Sequence, residues 1–119
     1  MKQVIPAEVY EELPCSMVAL GSALGLTNEE RVSELASDAL KDDGYLTLDG
    51  MNKLIRAHMK VKRTMYYRRF ERPTLEQFMQ RFNGKAIVCL LGHYIYVDGD
   101  EYYSFFENFN DRVVKVWEV

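Results

Sequence analysis

The sequence predicts an α+β domain in which a buried helix near the front of the chain packs on an antiparallel sheet built by its last third. Three observations predict it. Residues Cys15 to Leu26, CSMVALGSALGL, are apolar or small on nearly every side, the mark of a helix enclosed by other elements rather than lying on a surface. Residues 28–58 carry apolar side chains at helical spacing. From residue 85 onward the pattern becomes short aromatic and β-branched runs broken by glycine and asparagine. Helices first and strands last describe an α+β architecture rather than alternating βα units. At 119 residues a single domain spanning 1–119 is expected, and a hydrophobic content of 48% supplies its core.

The elements follow in order. Pro14 stands where its fixed φ suits the start of the first helix. Thr27 followed by Glu30 reads as a capping box, and Val32, Leu35, Ala36, Ala39 and Leu40 continue a second, amphipathic helix over about 28–41. Asp42-Asp43-Gly44 stops it. Thr47 opens a third helix near 48–58 through Leu48, Met51, Leu54, Ile55 and His58. Met59 to Phe70 mixes Val, Thr, Met and Tyr with bases, which favours a strand or irregular segment. After Pro73 and Thr74, the spacing of Leu75, Phe78, Met79 and Phe82 makes a short fourth helix ended by Asn83-Gly84. Runs 85–91, 93–98, 101–106 and 112–118 then read as four strands of an antiparallel meander.

Composition excludes several function classes. No window approaches the ~18 uninterrupted apolar residues of a membrane span, and acids stand where a signal peptide would carry its apolar run, so a cytosolic protein without a membrane partner is expected. Two cysteines are too few for a disulfide scaffold, and both are expected as reduced thiols. The net charge of −3 conceals segregation: residues 1–52 carry three bases against ten acids, whereas 53–72 carry eight bases against Glu71 alone. Either the acidic half packs against the basic middle, or the basic run is a patch for an acidic partner or nucleic acid. The aromatic stretch 94–109 has no base interleaved, which disfavours a stacking platform for single strands. Neither Cys nor His has a second ligand at i+2 to i+4, so no metal or other cofactor is expected.

Cys15 and His93 are the residues placed for chemistry. A thiol at a helix N-terminus feels unpaired N–H groups and the positive end of the peptide dipoles, which favour the thiolate. His93 stands beside Gly92 at the start of a strand, a positioned imidazole, whereas His58 reads as a helix-end residue. Cys89 alternates with Ile87 and Leu91 and reads as core; it becomes a rival thiol only if its strand runs unbroken through Gly92.

These residues carry a resemblance. PCSMVALGSALGLTNEE, then TLEQFMQRF, then NGKAIVCLLGHYIYVDGDEYYSFF resemble the small papain-like cysteine peptidase-type proteins encoded by bacteriophages and related bacterial loci. The resemblance implies a papain-like fold, with Cys15 as nucleophile, His93 as base, and an acid or amide from the following hairpin orienting the imidazole. It implies a cysteine hydrolase cleaving a peptide or peptide-like amide, in the host cytoplasm for a phage-encoded chain. Two positions depart from the family. Ser104 stands where an aspartate is common, and residues 9–14 lack the usual oxyanion-hole glutamine, leaving the N–H groups of Cys15 and Ser16. Ser104 is the first candidate for the orienting group and Asn108 the second, with Asp98 also within the hairpin; the group is expected at Nδ1, with Nε2 facing the thiol. The alternative reading is a catalytically weakened protein of this fold that binds a host or partner protein.

Overall fold

Pro14 and Gly25 bracket the first helix. In the computed structural model, which describes residues 1–41 and 47–119, α1 spans Cys15–Ala23. The Pro14 carbonyl accepts from the Met17 and Val18 N–H groups at 2.9 and 3.1 Å. The sequence pattern runs to Leu26, but Gly25 adopts φ 69°, and the N–H groups of Gly25 and Leu26 turn back to the Ser22 and Gly21 carbonyls. This Schellman closure ends the helix earlier. Ser16 through Gly21 are buried without interruption.

The second helix, α2 (Glu29–Lys41), is capped by Asn28 instead of Thr27, because Asn28 Oδ1 accepts from the Glu30 N–H at 2.8 Å. The Asp42-Asp43-Gly44 stop lies outside the described residues. Thr47 caps α3 (Leu48–His58) as expected, accepting from Gly50 N–H at 2.9 Å. The short α4 (Leu75–Arg81) opens on a capping box between Thr74 and Gln77.

Among the described residues six strands are present: β1 (Lys2–Val4), which the pattern does not predict, β2 (Arg63–Tyr66), within the segment read as strand or irregular, and β3 (Lys85–Leu90), β4 (His93–Asp98), β5 (Glu101–Tyr103) and β6 (Val113–Glu118), the four predicted after residue 85. Their order is β1-β5-β4-β3-β6-β2. The sheet is therefore not a meander, since β6 pairs with β3 and not with β5. Nor is it wholly antiparallel, since β1 runs parallel to β5. Pairing on both sides suits β3, whose Ala86–Leu90 are all buried, as a near-continuous apolar run requires. β5 stops at Tyr103, three residues short of the expected end, because the Ser104 side chain captures the Phe106 N–H at 3.1 Å and turns the backbone out of the ladder.

Helices cover both faces. On one, Met17 and Leu20 of α1, Leu35 of α2, and Met51 and Ile55 of α3 pack with Ile87, Tyr96 and Trp117. On the other, Leu75, Phe78 and Met79 of α4 meet Val88, Leu90, Ile95 and Val97. Trp117 Nε1 donates to Asn52 Oδ1 at 3.0 Å, tying α3 to the sheet. The fold is thus α+β, with the first helix buried on β4 and β3 of a mixed sheet to which both ends of the chain contribute strands. No helix among the described residues is long and apolar enough to cross a membrane.

Tyr10, in a 3-10 turn at Glu8–Tyr10, is buried against α1, and its hydroxyl donates to the Leu26 carbonyl. Gly21 is what lets the ring approach: a Cβ there would lie 2.4–2.7 Å from Tyr10 ring and hydroxyl atoms. Gly21→Ala is therefore expected to destabilise the protein by about 1–3 kcal/mol, the ordinary cost of overpacking. Urea unfolding followed by Trp117 fluorescence checks this, and an unchanged midpoint would mean that the ring is free to move aside.

Candidate active site

A tight turn sets the histidine. β3 and β4 are joined by Leu91-Gly92, with Leu90 opposite His93, and Gly92 takes φ 80°, open to glycine at little cost. His93 is thereby fixed at the first position of β4, half-buried at one end of the sheet. The start of α1 lies at this end. Cys15 and His93 share a pocket of about 160 Å³ whose other walls are Leu13, Val18, Tyr94, Phe105 and Phe106. Phe106 meets the imidazole edge-on, with ring centroids 5.9 Å apart. No hydrogen bond joins the Cys15 thiol to the imidazole among the described residues.

Ser104 is the group at the imidazole. Its Oγ lies 3.3 Å from His93 Nε2 and accepts the Phe106 N–H, and the residue is only 2% exposed. The nitrogen differs from the expected Nδ1. Ser104 sits beyond the ring on the neighbouring chain segment, within reach of the nitrogen farther from Cβ, so Nδ1 is the one left for a thiol. Ser104 is itself held at both backbone groups: its N–H donates to the Val4 carbonyl at 3.2 Å, and its carbonyl accepts from Gln3 Nε2 at 3.0 Å. Sequence reasoning missed Gln3 and Val4, because three residues of β1 are too few to show an alternation.

Asn108 is not at the imidazole. Its Nδ2 donates to Asp111 Oδ2 at 2.6 Å and its N–H to the Tyr102 hydroxyl at 3.4 Å, so its side chain serves the 108–111 turn. Asp98 lies at the opposite end of β4, roughly 16 Å along the strand at ~3.3 Å per residue. Neither replaces a carboxylate beside His93.

Burial lowers the His93 pKa below its ordinary 6.5, opposed in part by the negative charge of Asp111. The shift favours the neutral imidazole, the state in which it accepts a proton. The two-residue turn puts Leu90, not Cys89, opposite His93: Cys89 lies opposite Tyr94 and packs on the α1 side, its Sγ donates to the Leu90 carbonyl at 3.4 Å, and burial, with the nearby Cys15 thiol as a smaller cause, pushes its pKa up to about 11. Both thiols are free, as expected. Ser16, next to the candidate nucleophile, is buried, and its hydroxyl has no hydrogen-bond partner among the described residues.

Compared with protein-family models, curated proteins and solved structures, the chain matches none.

Two outcomes are expected of this geometry. Iodoacetamide should modify one thiol, Cys15, in the native protein and both in denaturant; mass spectrometry that finds Cys89 labelled natively would contradict its burial. The His93 ring should titrate below 6.5 by NMR, and Phe106→Ala, by admitting water, should move it back up. The linked stability follows in sign: with the folded pKa depressed, the contribution is fully present above 6.5 and is lost as the pH falls through the folded pKa.

Proposed function

We propose that the protein is a cysteine hydrolase of papain-like arrangement acting on a peptide or peptide-like amide. The observation that carries this reading is the meeting of Cys15, at the start of an enclosed helix, with His93 in one pocket, the imidazole held from behind by Ser104.

The chemistry runs on this chain's own groups. With Nε2–H donated to Ser104 Oγ, the bare Nδ1 takes the proton of the Cys15 thiol as sulfur attacks the substrate carbonyl carbon. Charge develops on the carbonyl oxygen. The N–H groups of Cys15 and Ser16 are the donors for it, since Met17 and Val18 already bond to the Pro14 carbonyl. The imidazolium then returns its proton to the leaving amine as the C–N bond breaks. Water hydrolyses the thioester with His93 again accepting the proton, which restores the thiol. The pocket's apolar walls and volume of about 160 Å³ suit a single apolar side chain next to the scissile bond.

One observation favours the second reading, a binding protein that has lost activity. A hydroxyl stands where a carboxylate would stabilise the imidazolium, and a lost orienting carboxylate costs about 10⁴-fold in a serine triad. The test addresses both readings. Cys15 alkylation should be fastest in a pH window set by His93 and slow in His93→Ala, and cleavage of quenched peptides should vanish in Cys15→Ala. Ser104→Asp, which gives the imidazolium a charged partner, should raise the His93 pKa and the alkylation rate near neutral pH, whereas Ser104→Ala should change the rate little. A folded Ser104→Asp with an unaltered profile, in a protein that cleaves nothing, would select the binding reading.

A further inference from the structure

The basic run at 53–72, which the proposed hydrolase site does not use, contributes one wall of a second concavity. β2 is the last strand of the sheet, so no strand among the described residues pairs with its outer edge. Tyr67 N–H donates to the Val114 carbonyl, and hydrogen-bonded pairs alternate along an antiparallel ladder. Arg63 and Met65 therefore also face β6, and the N–H and C=O groups of Thr64 and Tyr66 point away from the sheet. Beside this edge, on the α4 face, lies a groove of about 610 Å³. Its floor is Met65, Tyr67 and the stacked rings of Phe78 and Phe82, 4.9 Å between centroids.

Charge decides what fits. Arg63, Arg72 and Arg81 line the groove, and Glu71 is the single carboxylate among its lining residues. Of these arginines only Arg63 has a carboxylate partner among the described residues, Glu118, so no described acid of the first half of the chain pairs with this face. Phe70 stands at the rim 94% exposed, with the Arg69 guanidinium over its ring. Guanidinium groups recognise carboxylates, aromatic rings take apolar side chains, and an open edge takes a peptide backbone.

We infer that β2 and this groove bind an extended acidic peptide, which adds to the sheet at Thr64 and Tyr66 and sets its carboxylates on Arg72 and Arg81. A nucleic acid would share the arginines and the exposed ring but has no use for the backbone groups of the edge. Self-pairing of two β2 edges would bring the basic runs of two copies together, which like charge opposes.

The test uses the full chain and a labelled, short alternating Glu-Val peptide, read by fluorescence anisotropy. Saturable binding is expected. It should weaken at least about tenfold in Arg72→Glu/Arg81→Glu, as the loss of charge-assisted hydrogen bonds dictates. The same peptide N-methylated at alternate amides should also lose binding; it keeps the charge and leaves the protein unaltered, so misfolding of a variant does not obscure the result. Absence of saturable binding, equal binding of a Lys-Val peptide, undiminished binding of the N-methylated peptide, or tighter binding of an oligothymidylate of equal length would each overturn the inference.

Discussion

A helix without a polar face exists in water only when every side of it is covered, and α1 imposes that condition on the whole structure. Six consecutive residues, Ser16 to Gly21, are buried. The sheet covers one side through β4 and β3, α2 another, and the turn carrying Tyr10 a third. Gly21 marks the tightest of these approaches. The amphipathic α2 and α3 then turn polar faces outward, which α1 cannot do. Such a scaffold places Cys15 at the margin of the core, where its own exposure is intermediate while the helix it opens is enclosed. That combination is the one a positioned nucleophile needs.

The parts of the fold legible from sequence are those specified by local chemistry. Thr47 and Thr74 cap helices because hydroxyls accept N–H groups, whatever the tertiary context. Gly92 and Gly99 close two-residue turns because their positive φ suits glycine. Pairing over long range was not legible. Nothing in residues 107–112 says that the chain crosses to place β6 beside β3, and β1 is too short to show a period. The end of β5 was misread for a different reason: the aromatic pattern of 101–106 continues a strand, but one serine hydroxyl competes successfully for a backbone N–H.

The candidate site divides in the same way. Cys15, His93 and Ser104 each stand at a position that sequence marks, at the start of a helix, the start of a strand and the end of a hairpin, and the structure places the latter two in contact at 3.3 Å. Which imidazole nitrogen faces Ser104 depends on how one segment lies over another, which the expectation of Nδ1, drawn from the tautomer a thiol needs, does not contain. Asn108 has the right chemistry for the same role, yet Asp111, three residues away, holds its amide by a stronger local bond. Burial sets the remaining character of the pair, since the desolvation that lowers the His93 pKa also keeps the ring an uncharged acceptor.

Ser104 is gripped by Gln3 and Val4, and the glutamine stands 101 positions before the serine it holds. Closing so long a loop is an event for the end of folding, after the local helices and hairpins have formed. During synthesis, Cys15 leaves the ribosome nearly ninety residues ahead of Ser104, and β1 must wait unpaired for the strand it joins. The imidazole therefore acquires its support only once Ser104 has emerged and β1 has found its partner. A nascent chain thus carries the Cys15 thiol through the whole of that interval before the ring of His93 is held in place.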